Sequence, residues 1–171
     1  RSPVNYYAAA KNAFLDLLHY SSQNYSFECL NLILFDVFGK NDPRKKLIAS
    51  LPELLSSRTA LELSPANQEL DLIYITDVTS AFSSALDYLR AGPGLNSFKD
   101  TFFTVRSGQL RTLRYIVNQF VEASASETKV VFGAKPYRSN ELMKPMSFQR
   151  FLPNWEPLVG LEKGVCLIYE G

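Results

Sequence analysis

Apolar residues recur at three- and four-residue spacing through the first twenty positions, and then the rhythm changes. Tyr7, Lys11, Phe14, Leu15 and Leu18 share one side of a 3.6-residue period, which predicts an amphipathic helix. Ser2 is placed to cap it, with Pro3 just inside, where a missing N–H costs nothing. The pattern fades at residues 21–24. Residues 29–35 are then almost uniformly apolar and of strand length, as expected for a parallel sheet covered on both faces. Asp42 and Pro43 predict the start of a second helix that runs to about residue 56. A polar stretch at 63–69 leads into a second strand at 70–75, and Thr76 or Asp77 caps a helix to Arg90 that ends at the Gly92-Pro93-Gly94 turn. A third strand is expected at 100–105, a helix at about 110–123 and a fourth strand at 129–132. After an irregular stretch containing Pro136, Pro145, Pro153 and Pro157, a short helix closes the chain at 161–169. Strands alternating with helices predict an α/β fold.

Composition narrows the functional classes. The 171 residues suffice for one domain with a core. Eighteen basic and seventeen acidic side chains leave a net charge of +1, so no field exists to hold nucleic acid or an anionic membrane surface. The most apolar stretch, 30–38, is about half the length that spans a bilayer and contains Asn31 and Asp36. Two cysteines make no disulfide framework, which points to a reduced, cytoplasmic setting with Cys29 and Cys166 as buried thiols. A single histidine, His19, argues against a His-rich metal site or a Ser-His-Asp hydrolase, so no metal is expected, and His19 reads as a surface or interface side chain. The chain opens Arg1-Ser2-Pro3 and enters a helix almost at once, which predicts that it is the C-terminal part of a longer protein.

The candidate chemistry lies on the first helix. Tyr7 and Lys11 are one turn apart on one face. A free phenol titrates near pH ~10, too high for proton transfer at neutral pH, and a neighbouring ammonium lowers that value by stabilising the phenolate. A Tyr/Lys pair is therefore a sound proton-transfer device. Spacing alone serves equally well for a packed tyrosine beside a solvated lysine.

The flanking residues extend the pattern. The segment 3–14, Pro-Val-Asn-Tyr-Tyr-Ala-Ala-Ala-Lys-Asn-Ala-Phe, resembles the active-site helix of the extended short-chain dehydrogenase/reductases, in particular the NAD-dependent epimerase/dehydratase group acting on nucleotide sugars. Residues 34–43 (Leu-Phe-Asp-Val-Phe-Gly-Lys-Asn-Asp-Pro) are similar to that family's strand ending in an aromatic-Gly-Pro loop. Residues 71–78 (Asp-Leu-Ile-Tyr-Ile-Thr-Asp-Val) resemble its strand returning from the substrate region. Residues 133–138, 152–157 and 161–164 look like its C-terminal signature. Together these motifs, in order, cover almost the whole chain.

The resemblance implies the C-terminal part of a Rossmann-type parallel sheet with a small irregular substrate-binding region. Residues 1–39 and 71–127 would be Rossmann-side elements, and 40–70 and 128–171 the substrate-binding region. Tyr7 would be the general acid/base at a sugar carbonyl, and Lys11 would bind the nicotinamide ribose and keep Tyr7 partly ionised; both would touch NAD or NADP. Asp36 falls where the family often has an Asn against the substrate. Arg138 falls where it often places an arginine on the nucleotide diphosphate, for which a bidentate guanidinium is suited; a solvated loop arginine is the competing reading. Lys45 and Lys46 would help neutralise phosphate, or form a plain solvated pair. The implied activity is NAD(P)-dependent 4-keto-sugar reduction on a nucleotide-diphosphate sugar, as in deoxysugar and O-antigen biosynthesis. The alternatives are a nucleotide-sugar 4-epimerase and a non-catalytic binding module.

Several departures accompany the resemblance. The family loop usually continues Gly-Pro and here reads Gly39-Lys40, and the arginine often found before the aspartate at 71 is Leu70. No Gly-x-x-Gly-x-x-Gly fingerprint occurs in these residues, so the fragment alone is expected to bind no dinucleotide and to be inactive. Phe14, Leu15, Leu17 and Leu18 put apolar groups on more than one side of the first helix, the arrangement of a homodimer contact or of burial within one chain.

Overall fold

A computed structural model describes residues 3, 5–25, 27–57, 59–147 and 150–170. The first helix, α1, spans Tyr6–Asn24. The expected cap at Ser2 lies outside the described residues, and Asn5 does the capping, its side chain accepting from the Ala8 N–H at 2.9 Å. The predicted single strand at 29–35 is two short ones, β1 (Asn31–Leu34) and β2 (Asp36–Phe38). At Phe35 the chain changes partners. β1 pairs in parallel with β5 (Phe102–Val105), and β2 pairs in parallel with β4 (Glu69–Tyr74).

Between them, α2 (Leu47–Ser56) starts later than its predicted cap. Asp42 does not cap it. Its carboxylate is held instead by Arg44, at 2.7 Å from Nε, and Arg44 also donates to the Val37 carbonyl at 2.7 Å. A local ion pair therefore pins the 40–46 loop to β2. β3 (Leu61–Leu63) pairs in parallel with β7 (Val130–Phe132), and β6 (Leu110–Thr112) adds an antiparallel edge to β4. The predicted parallel sheet thus holds for three pairings, with one antiparallel addition. Helices α3 (Ile75–Arg90), α4 (Leu113–Ser124) and α5 (Leu161–Tyr169) complete the chain.

β4 divides the core. Leu72 and Tyr74 point into one cluster with Phe38, Leu51, Ile116, Phe120 and Val165, where α2, α4 and α5 pack. Ile73 points into a second cluster with Val78, Ala81, Phe103, Val105 and Leu152, on the α3 side. The alternation follows from the two-residue period of a strand. On the same side as Ile73, Asp71 is fully buried and accepts from Arg106 Nε at 2.8 Å and from the Ser107 N–H at 2.8 Å. Breaking such a buried pair from one side typically costs ~3–5 kcal/mol. Asp77, predicted as a helix cap, is buried in the first turn of α3 instead. It accepts from the Leu158 and Val159 N–H groups at 3.1 and 2.9 Å, which ties the 155–159 segment to α3. Trp155 anchors the same segment by packing on the second cluster and donating to Ser80 Oγ at 2.9 Å.

α1 differs from the rest in burying no residue. Phe14, Leu17 and Tyr20 are exposed on it, as are Phe82 and Leu86 on α3. His19 stacks on Phe98 with ring centroids 4.5 Å apart. Cys29 is half-buried, and Cys166, expected inside, is exposed because it lies on the solvent side of α5. Among the described residues, no helix is long and apolar enough to cross a membrane.

Candidate active site

Three adjoining cavities run along residues 30–48. The first, about 630 Å³, is lined by Tyr7, Lys11 and Phe14 of α1, by Leu30 to Leu34, and by Phe82 and Leu86 of α3. Tyr7 is 72% exposed, so its hydroxyl is open to an incoming ligand. The Lys11 ammonium lies 5.7 Å from the centre of the Tyr7 ring, within the range at which a cation is drawn to an aromatic face. The predicted one-turn juxtaposition is thus present.

The second cavity, about 420 Å³, is bounded by Leu34, Val37, Gly39, Asp42, Arg44, Ile75 and Val78. It shares Leu34 with the first cavity and Val37, Asp42 and Arg44 with the third. Gly39 is required here: a Cβ at this position would stand 2.6 Å from Ile75 Cγ2, so any side chain would push the loop off α3.

The third cavity, about 510 Å³, gathers Asp36, Lys45, Lys46 and Arg138, the four residues singled out for substrate contact, from three separate stretches of chain. It adds residues that the sequence reading passed over: Arg44, Glu62, Gln68, Lys135 and Glu141. Lys135 sits inside the 133–138 motif, and Arg44 begins the Arg-Lys-Lys run, so both had a local signal. Gln68 had none; only the pairing of β4 with its neighbours brings it to the cavity wall.

The electrostatics divide the wall. Arg44 is committed to Asp42, and the guanidinium hydrogen bonds hold the Asp42 carboxyl below the ordinary carboxylate range. None of the remaining cations, Lys45, Lys46, Lys135 and Arg138, is within ion-pair distance of a described carboxylate. They stand without a direct ion-pair partner on a wall that carries charges of both signs. Asp36 and Glu62 bring carboxylates to the same wall, the groups that accept hydrogen bonds from hydroxyls.

The residues present fit one end of a nicotinamide dinucleotide. A phenol and an ammonium stand over an apolar floor of β1 and α3 side chains, the donor set and surface that a ribosyl nicotinamide needs. Nothing in the sequence supplies the glycine-rich loop that cradles a pyrophosphate. Among the described residues, no group of three or more His, Cys, Asp and Glu side chains is arranged to hold a metal.

Solved structures agree with this fold. RMD from Pseudomonas aeruginosa, complexed with NADPH, matches with a TM-score of 0.76 and 18% identity, over 98% of this chain and 56% of that one. The UDP-glucose 4-epimerase of Thermotoga maritima, with UDP-glucose, also matches at 0.76, with 21% identity over 94% of this chain and 51% of that one. These likenesses define the class as a Rossmann-type α/β fold. The sequence goes further: the chain belongs to the NAD dependent epimerase/dehydratase family, whose model matches residues 2–98. Among curated proteins it is 28% identical to the CDP-abequose synthase of Yersinia pseudotuberculosis, over 83% of this chain and 47% of that protein. The CDP-abequose synthase of Salmonella muenchen is also 28% identical, over 93% of this chain and 53% of that protein. The chain therefore spans about half the length of the curated relatives it matches.

Proposed function

We propose that these residues form the C-terminal portion of an NAD(P)-dependent oxidoreductase that reduces a 4-keto group on a nucleotide-diphosphate sugar. Residues 1–39 and 71–127 would serve the Rossmann side, and 40–70 with 128–171 the substrate. One observation carries the reading: Tyr7 and Lys11 open on a cavity that adjoins, by way of a second one with shared lining residues, a charged cavity holding Asp36, Lys45, Lys46 and Arg138. A nucleotide sugar has the matching layout, with a reacting carbon at one end and a diphosphate further along.

In this reading each residue has a defined task. Tyr7 holds its hydroxyl proton against the sugar carbonyl oxygen and gives it up as that oxygen gains negative charge. Lys11 favours the resulting phenolate electrostatically and binds ribose hydroxyls. Asp36 accepts a hydrogen bond from a sugar hydroxyl, and Arg138 grips phosphate oxygens in a bidentate way, with Lys45 and Lys46 adding charge. A nicotinamide cofactor supplies the hydride when bound. The likeness to two proteins named CDP-abequose synthase supports a nucleotide-sugar substrate, and 4-epimerisation, which would use the same tyrosine and lysine, is the second reading. In both readings α1, with Phe14 and Leu17 exposed, is the helix through which two copies would pair.

The nicotinamide absorbance band of the parent enzyme, followed with a 4-keto nucleotide sugar, tests the proposal. Reduction consumes reduced cofactor in step with product. Turnover without net absorbance change would select the epimerase instead, and absence of turnover with any nucleotide sugar would leave the binding module.

A further inference from the structure

α1 carries Tyr7 and Lys11, yet little among the described residues fixes where it lies. The helix buries no residue. Leu15 and Leu18 are half-buried, but apolar contact has no preferred direction and lets a helix slide or tilt. The side-chain hydrogen bonds of Asn5, Ser22 and Asn24 are local to the helix and its cap, and no ion pair among the described residues reaches it. Under Tyr7 and Lys11 lies the 630 Å³ cavity rather than packed side chains.

His19 is the exception. Its ring lies on Phe98 with centroids 4.5 Å apart and planes 15° from parallel, the one ring contact from α1 to another element among the described residues. Stacked rings hold a set separation and orientation, which loose apolar contact does not. The platform beneath is itself fixed. Phe98 opens the short helical turn Phe98–Thr101, where buried Thr101 donates from Oγ1 to the Phe98 carbonyl at 2.7 Å and accepts from Asn31 Nδ2 at 2.7 Å. Asp100 in the same turn is bound by Arg150 at 2.9 Å and by Ser97 at 2.9 Å. The Phe98 ring meets Phe102 edge-on at 5.4 Å, and Phe102 pairs with Asn31 across β5 and β1. Asn31 and Phe102 both line the Tyr7 cavity. The stack therefore joins α1 to the same strands that form the cavity wall.

We propose that His19 is a positioning residue for proton transfer: by stacking on Phe98 it fixes the register and tilt of α1 against β1 and β5, and so the place of the Tyr7 hydroxyl over the cavity. The inference rests on the reading of Tyr7 as the acid/base given above. Tyr7 and His19 are twelve residues apart, about 18 Å along a helix. A tilt of about 5° at the His19 end then moves the Tyr7 end by roughly 1.5 Å. A misplacement of about 1 Å can cost a reaction on the order of 10²-fold in rate. The charged cavity is built from β2 and loops apart from α1, so the grip on the diphosphate is independent of the stack.

Steady-state kinetics of the parent enzyme in H₂O and D₂O, for the wild type, His19→Ala, His19→Phe, Phe98→Leu and Tyr7→Phe, test this. His19→Ala is expected to lower kcat at least about tenfold and to leave KM for the nucleotide sugar within about twofold. Its solvent isotope effect on kcat rises, because a misplaced hydroxyl makes proton transfer slower relative to the other steps. His19→Phe keeps a ring on Phe98 and restores kcat to within about twofold of the wild type. Phe98→Leu removes the platform and reproduces His19→Ala; it carries the test if His19→Ala melts below the assay temperature. A wild-type kcat in both His19→Ala and Phe98→Leu overturns the positioning role, and so does an equal loss in His19→Ala and His19→Phe. A fall in kcat with an unchanged isotope effect marks a lost folded fraction and also overturns it. If any of these occurs while Tyr7→Phe is inactive, the acid/base reading stands without the stack. A Tyr7→Phe enzyme as fast as the wild type overturns both.

Discussion

Asp42 and Arg44 stand two residues apart and hold each other so firmly that Asp42 is not free for the capping role its position in the sequence invites. Asp42 reads as a helix cap, yet the pair closes on itself and on the Val37 carbonyl. Its consequence is a pH dependence. The guanidinium hydrogen bonds lower the Asp42 pKa in the folded state, so as pH falls the unfolded chain takes up this proton first. The stabilisation is complete above the ordinary aspartate range, at about pH 4, and is lost as pH drops through the lower folded value. The melting-temperature difference between the wild type and Asp42→Asn is therefore expected to be largest near pH 6 and to shrink towards pH 3. A difference that stays constant or grows in acid would contradict the assignment. Tyr7 and Lys11 were singled out by residue type and spacing together with the resemblance of their flanking residues, since spacing alone also suits a packed tyrosine beside a solvated lysine. Gln68 had no such signal, because only the fold brings it to the cavity wall.

At the scale of elements, the long periodic segments were legible and the short ones were not. α1, α3 and α5 follow from their apolar spacing, with α5 expected at the residues it occupies. β3 and β6 have three residues each, too few for a period to register, and exist because β7 and β4 offer them hydrogen bonds. The fit between α5 and the sheet is set by one glycine. A Cβ on Gly164 would lie 2.6 Å from Phe38 Cζ and 3.0 Å from Tyr74 Cδ2, and both aromatic rings are buried with no room to yield. Gly164→Ala gains about 1 kcal/mol of helix propensity, whereas overpacking of this kind costs about 1–3 kcal/mol. Crowding by two immobile rings puts the cost at the upper end, so a net loss of about 1–2 kcal/mol in chemical denaturation is expected. Stability equal to or above the wild type would mean that α5 lies further from the sheet.

Over the whole molecule, burial is uneven. The elements from β2 onward enclose two apolar clusters, while α1 and the facing side of α3 leave Phe14, Leu17, Tyr20, Phe82 and Leu86 exposed around the Tyr7 cavity. The fold class and order of motifs were readable along the chain, since each motif is a local run of residues. The union of the charged cavity was not, because Asp36, Lys45 and Arg138 meet only through the pairing of β2 with β4 and the return of the 133–141 segment. The proposed enzyme places its proton transfer on α1, the least enclosed helix, and its substrate grip on exposed residues of β2 and two loops.

The central claim is that the Tyr7 hydroxyl carries the proton. Turnover by the parent enzyme with Tyr7→Phe, compared with the wild type at saturating nucleotide sugar, tests it most directly. Because Tyr7 is exposed and only its hydroxyl is removed, the fold should be unaffected, and kcat is expected to fall by about 10²–10⁴-fold, the share that a positioned acid/base group contributes. A kcat within a few fold of the wild type would contradict the account.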